Sequence, residues 1–379
     1  MVKMLNAYTY EVTNAEAASC DILEKLDMRH NLLKNSAGLV FCYLDFIKSG
    51  ALEAVCKNLP FPVLGCTTLG IAAPKAMGGI VLSLTVLTSD DVEFRAGLSE
   101  PLITDEEARI VKLYRKLSAN EKSALILPFT PSLHNLVGDT VVKILDHEGG
   151  GAPIFGTGAL DADTRIRTPK TIYNGKAWSD RMPLLLLMGN VEPKFFVDSV
   201  WNQDGPRQKA VVTKAEGNRI ITVDGMCAAE YMKKIGLITS ETRKMLFMFP
   251  LVIVSGSALP MLFVIYAVNK DGSILCSTNT PTGSTLYISF PGKDKVLSSM
   301  KNVTNALKEE SGQTRLIFSC FSRSVIQTDP DDEMKMIQTE LAGLPFLLTY
   351  SRGEICPVYN RKGVAVNQYH SYAIVSSVF

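Results

Sequence analysis

Two arginines and a glutamate in the last sixty residues have the types and spacing to hold a small zwitterion. Arg323 closes the run C-F-S-R that begins at Cys320, and Arg352 and Glu354 lie in Y-S-R-G-E-I from Tyr350 to Ile355. A guanidinium takes a carboxylate through two parallel hydrogen bonds, and a carboxylate faces an ammonium. Thr67, Thr68, Ser322 and Ser351 would add hydroxyls, Cys66 and Cys320 stand in the same runs, and Gly65, Gly70, Gly156 and Gly353 would let a ligand approach the main chain. A plainer reading makes Glu354 and Arg323 an internal ion pair locking neighbouring strands and the glycines ordinary turn residues.

Other chemistries find less support. A cysteine hydrolase needs a thiolate beside an imidazole, which leaves Cys66 or Cys320 with His134 or His370. No nucleophile signature surrounds either cysteine, so both also read as small buried thiols. Haem would need an axial ligand from His30, His134, His147 and His370, each of which reads equally as a surface or cap residue; no cofactor is expected. Asp161 and Asp163 are a carboxylate pair without a nearby third ligand, suited to turn hydrogen bonding, and no metal is expected. Gly149-Gly150-Gly151 fits neither phosphate-cradling pattern.

The residues singled out lie at the ends of three similar stretches. Leu344–Pro357 (LPFLLTYSRGEICP) is echoed by Leu59–Pro74 and by Pro153–Asp161. Upstream of each is a short apolar run, Leu39–Phe46, Ala124–Thr130 and Arg315–Ser322, separated from it by a stretch of helical character. The order strand, helix, strand, loop recurs three times, which predicts a structural repeat. The three tips are expected to converge around one polar hollow.

A chain of 379 residues, 46% hydrophobic and 20% charged, can bury two or three cores. Its 39 basic and 38 acidic residues leave a net charge of +1, which disfavours nucleic acid or anionic lipid as a partner. Eight cysteines without a C-x-x-C pair suggest reduced thiols in the cytoplasm. The first residues lack the apolar core of a signal peptide. Met245–Asn269 is long and uncharged, but Pro250, Pro260 and Ser255-Gly256-Ser257 interrupt it. Two buried strands around a turn are expected there, with no membrane span.

Apolar spacing predicts an opening helix over Ala15–Leu33 capped by Asn14, and a second helix at about Ser49–Asn58. Gly79–Leu87 and Asp91–Leu98 read as a hairpin around Thr88-Ser89-Asp90, followed by a helix over Thr104–Leu117. A helix from Leu133 to Glu148 comes next, then a hairpin at Asn174-Gly175, whose sheet Leu184–Met188 and Phe195–Val200 would continue. Arg219–Val223 reads as a strand and Met226–Lys234 as a helix. The remainder predicts a hairpin over Ser273–Ser289, helices at Asp294–Glu309 and Asp331–Leu341, and strands at Leu316–Phe321 and Tyr372–Val378. The main boundary is placed near Gly217–Gly225, dividing the chain into parts 1–219 and 220–379.

The ordered set G-C-T-T-L-G (Gly65–Gly70), F-G-T-G-A-L-D (Phe155–Asp161), Y-N-G (Tyr173–Gly175), VVTKAEGNRI (Val211–Ile220), V-D-G-x-x-A (Val223–Ala228), C-F-S-R and Y-S-R-G-E-I resembles the FIST sensory domain, in that family's order and over nearly the whole chain. Ile71, Leu348 and Tyr369 depart from its usual glutamate, glycine and threonine. The resemblance implies a cytoplasmic sensory module that binds small ligands such as amino acids and is coupled to a kinase, cyclase, chemotaxis or F-box partner; haem binding belongs to one branch. With no room for an output domain, the signal is expected to pass to a separate partner. The reading is therefore a mixed α/β protein of repeated strand–helix–strand units, non-enzymatic, sensing a small polar ligand.

Overall fold

A computed structural model of the chain describes residues 1–133, 136–162, 168–201, 208–239, 250–254, 260–288, 292–327, 329–359 and 363–379. The first unit opens with β1 (Lys3–Thr9) and α1 (Ala15–Leu26), where the Asn14 side chain accepts the Ala17 amide at 3.0 Å. Asp27, at φ 41°, ends that helix before the short α2 (Met28–Asn31), so the helix expected to reach Leu33 is broken. Then come β2 (Asn35–Cys42), α3 (Asp45–Lys48), α4 (Ala51–Lys57), β3 (Val63–Thr67), β4 (Ile71–Ala73), β5 (Ala76–Gly78) and β6 (Leu82–Ser89). Phe46, expected in a strand, is buried on α3. The second unit is β7 (Glu93–Leu98), α5 (Glu106–Ser118), β8 (Ser123–Thr130), α6 (Gly138–Glu148), β9 (Gly156–Gly158), β10 (Thr171–Tyr173), β11 (Lys176–Trp178) and β12 (Pro183–Met188).

The third unit starts at β13 (Lys194–Ser199) and is interrupted by an insertion. That insertion holds β14 (Gln208–Glu216), β15 (Arg219–Val223), β16 (Met226–Cys227), α7 (Ala228–Lys234), β17 (Leu251–Val254), β18 (Met261–Phe263), β19 (Ile265–Val268), β20 (Ile274–Cys276) and β21 (Thr285–Ile288). The unit resumes with α8 (Lys293–Glu309), β22 (Arg315–Cys320), α9 (Phe321–Ile326), α10 (Asp332–Glu340), β23 (Leu347–Ser351), β24 (Glu354–Tyr359), β25 (Ala365–His370) and β26 (Ala373–Val378).

The threefold repeat is the organising feature. Each unit holds a parallel pair joined across helix: β2 with β3, β8 with β9, β22 with β23. A parallel pair needs a crossover connection, which in each unit carries a helix. After each pair the chain leaves its own sheet. The hairpin begun by β4 pairs with β23, that begun by β10 with β3, and that begun by β24 with β9. The exchange closes a ring of three six-stranded sheets, β1-β6-β2-β3-β10-β11, β7-β12-β8-β9-β24-β25 and β13-β26-β22-β23-β4-β5.

The strand pairing overturns three local expectations. Residues 79–98 form no hairpin, because both edges of β6 are occupied by β1 and β2. The Ser89 hydroxyl instead accepts the amides of Asp91 and Val92 and turns the chain towards β12 of the next sheet. The Asn174-Gly175 hairpin forms as expected, but β12 and β13 continue two other sheets. In the insertion, β20 pairs with β15 and β19, and β21 with β14 and β17, so the hairpin expected over 273–289 does not form among the described residues, which here end at 288. The strands expected in the long apolar stretch do pair, β17 against β18; the intervening Ser255-Gly256-Ser257 lies outside the described residues. Among the described residues no helix is long and apolar enough to cross a membrane.

One phenylalanine from equivalent positions of the three first strands, Phe41, Phe129 and Phe318, fills the centre. The Phe41 ring lies 5.8 Å from Phe129 and 6.0 Å from Phe318. Their register partners Cys66, Thr157 and Thr349 are equivalent in turn. The inserted eight-stranded sheet keeps a separate core that includes Val212, Ile220, Phe263 and Leu286. It is fastened to the body at Asp139 in the first turn of α6, whose carboxylate accepts from the Thr278 hydroxyl and, at 2.6 Å, from the Asn279 amide. Ser277 and Ser371 add a hydroxyl pair at 3.2 Å.

Candidate functional site

The tips that follow β3, β9 and β23 meet and interlock. Thr68 donates to the Tyr350 carbonyl at 2.7 Å, Thr349 to the Thr68 hydroxyl at 2.9 Å, Leu160 N to the Thr67 carbonyl at 3.0 Å, and Gly158 N to the Gly353 carbonyl at 3.1 Å. The glycines there serve close packing of protein on protein. A Cβ on Gly65 would fall 1.8 Å from the Val40 carbonyl oxygen, on Gly70 2.5 Å from the Tyr350 ring, and on Gly156 2.4 Å from the Pro128 carbonyl oxygen. At Gly353, whose φ is +86°, an added Cβ would fall 1.9 Å from the Tyr369 hydroxyl.

The charged candidates fall into three separate places. Arg323, on α9, is wholly buried and paired with Glu333 of α10, not with Glu354. Its Nε and one terminal nitrogen reach Glu333 Oε1 at 3.1 and 2.7 Å, and its other donors go to Ser299 Oγ and the Val296 carbonyl. Four of its five N–H donors are taken by protein and the side chain is wholly buried, so it opens onto no ligand site. Ser322, beside it, is buried as well.

Glu354 is placed by the pleat. Partners across a β-ladder share a face, and Glu354 pairs with Thr157, which pairs with Phe129; Glu354 therefore points into the central core. Ser351 Oγ donates to its Oε1 at 2.5 Å. The Cys320 thiol, a weak donor, stands beside it, and neither Glu354 Oε2 nor the Thr157 hydroxyl has an oxygen or nitrogen partner among the described residues. Burial pushes the Glu354 carboxyl well above the usual carboxylate range, against the pull of Ser351 and the more distant Arg323 charge.

Arg352 lines a cavity. A pocket of about 140 Å³ lies on the outer face of the second sheet. Its walls are Leu136 and Gly138 at the start of α6, Tyr369 of β25, and Asn218, Tyr266 and Leu275 of the insertion. The Arg352 guanidinium carbon sits 5.0 Å from the centre of the Tyr266 ring, within cation–π range. Tyr369, partner of Ile355, points to this face and slots against Gly138, where an added Cβ would fall 2.0 Å from its ring. Helix α6 begins at Gly138, five residues later than expected, which leaves Thr130–Leu133 as a lip of the pocket. Residues 134 and 135, with the candidate His134, lie outside the described residues, as does Asp163.

The thiols are poor nucleophiles. Burial pushes the Cys66 thiol well up, and burial together with the Glu354 carboxyl pushes Cys320 up to about 12. His370 gives Nε2 to the Cys356 carbonyl at 3.0 Å, and burial lowers it to about 4. Iodoacetamide at neutral pH is therefore expected to modify the exposed Cys20 first and leave Cys66 and Cys320 intact in the folded protein; rapid loss of either thiol by mass spectrometry would restore the hydrolase alternative. His30 and His147 are exposed, His30 beside Asp27 and His147 beside Glu148. Among the described residues no cluster of three His, Cys, Asp or Glu side chains could hold a metal ion.

A ring of three exchanged α/β units with an inserted sheet closing one strand-end pocket defines a mixed α/β module in two parts. The family comparison agrees: the FIST N domain profile matches residues 36–226 and the FIST C domain profile residues 228–357. The chain belongs to the FIST family, whose domains serve sensing and signal transduction. No curated protein matches it. Tyr266 and Leu275 carried no site signal in the sequence and Asn218 stood only within the VVTKAEGNRI run, since what brings them to Arg352 is the docking of the insertion.

Proposed function

We propose that the chain is a cytoplasmic, non-enzymatic sensor that binds a small polar ligand, an amino acid or small carboxylate, at Arg352 and signals through a separate partner protein. The observation that carries this reading is the position of the pocket. It is walled on one side by the threefold body and on the other by the inserted sheet, so a ligand inside touches both. A ligand shifts an equilibrium only by its differential affinity for two states, and a seam held by the Asp139 and Ser277 contacts supplies an element that contact with both walls can bias.

Thermal-shift screening against amino acids and small carboxylates tests the proposal. A ligand at a hundred times its Kd adds about 2.7 kcal/mol to the unfolding free energy, a readily measured rise in Tm. Arg352→Ala is expected to weaken a carboxylate about 10- to 100-fold, as loss of a charged hydrogen bond does, with little change in the Tm of the free protein. A flat response across the whole panel would sink the reading.

A further inference from the structure

We infer that the Arg352 pocket selects small monocarboxylates with a neutral α-substituent, such as 2-hydroxy or 2-oxo acids, over α-amino acids. The inference rests on the ligand-binding reading above and narrows it. The residue types in the sequence allow a zwitterion, with Arg352 for the carboxylate and Glu354 for the ammonium, but the fold separates the two. Glu354 points to the core side of β24, whereas the pocket lies on the opposite face of that sheet.

No acidic side chain among the described residues lines the pocket, and Arg352 is the one charged group they contribute. Asp139, next to the pocket residue Gly138, has its carboxylate committed to Thr278 and Asn279 across the seam. An α-ammonium brought in with a carboxylate would lose its hydration and find no counter-charge, a cost larger than any neutral hydrogen bond returns. A hydroxyl or oxo group in the same place meets neutral groups on the same walls: the Asn218 amide, whose nitrogen also donates to the Cys276 carbonyl at 3.0 Å, and the Tyr266 hydroxyl, which is shared with Tyr369.

Size points the same way. A cavity of about 150 Å³ accepts a benzene molecule, so about 140 Å³ holds a ligand of roughly six heavy atoms. Leu133, Leu136, Val137 and Leu275 give that ligand an apolar wall for a short aliphatic tail.

Lactate and alanine differ only in a hydroxyl for an ammonium, which makes them the deciding pair. Isothermal titration of the full chain at pH 7.5 with lactate, pyruvate, alanine and sulfate is expected to give lactate or pyruvate at least tenfold tighter than alanine. Sulfate should be weaker than either acid, and Arg352→Gln should lose tenfold or more for lactate at unchanged Tm. Alanine binding as tightly as lactate, with the same dependence on Arg352, would overturn the selectivity while leaving the pocket as the ligand site. Sulfate binding equal to lactate would overturn it too, reducing the site to a simple anion hole. Silence with all four ligands would remove the pocket reading itself, and this inference with it.

Discussion

Glu333→Ala is expected to destabilise the protein by about 3–5 kcal/mol, because it strands the Arg323 guanidinium in the core without its counter-ion. Both partners are fully buried, 2.7 Å apart, and the second carboxylate oxygen accepts from Ser319 at 2.8 Å. Removing the carboxylate deletes two hydrogen bonds to arginine and one from serine in a single step. Equilibrium denaturation by urea reads the loss. The double variant Arg323→Met/Glu333→Leu removes the charge as well as the partner and is expected to recover most of it, since apolar replacements of a buried pair are often neutral. A single variant as stable as the parent, or a double variant no better than the single, would contradict the account.

Lowering the pH is expected to destabilise the fold through His370, with the loss falling between about pH 6.5 and 4. The folded imidazole is held near 4 by burial, opposed by the Cys356 carbonyl, whereas the unfolded one titrates near 6.5. In that window the unfolded chain binds a proton that the folded chain refuses, so stability present above 6.5 drains away on acidification. A separation of that size corresponds to about 3 kcal/mol. Glu354 runs the other way: its raised pKa stabilises the fold at low pH and the contribution is lost as pH rises past the ordinary carboxylate range. Comparing the parent with His370→Gln cancels the Glu354 contribution. The stability difference between the two proteins should change by about 3 kcal/mol across the window; parallel pH curves would mean that His370 is not held neutral.

Much of the architecture was readable in the chain. The spacing of Leu39–Phe46, Ala124–Thr130 and Arg315–Ser322 against the three glycine-bearing stretches located all three parallel pairs, because a strand–helix–strand unit is written in local periodicity. Asn174-Gly175 marked its hairpin for the same reason. What stayed hidden was which sheet each strand joins. Residues 82–98 look like a hairpin from their own composition, and only the strands already occupying both edges of β6 forbid it. The candidate site suffered similarly. Arg352 and Glu354 are two residues apart in sequence, but the turn at Gly353 and the pleat put one at a pocket mouth and the other in the core. Arg323 found its partner ten residues downstream in Glu333, a helix-to-helix pairing that strand patterns cannot report.

The handing-on of hairpins from unit to unit also governs when the molecule can become whole. The second sheet waits for β24 and β25, and the third for β22, β23 and β26, although its members β4 and β5 were made some 270 residues before. A growing polypeptide that has not yet passed residue 354 thus carries two unfinished sheets with bare rims, a template for wrong pairing. Such long-range closure is intrinsically slow, so this molecule relies on β24, β25 and β26 to shut the ring.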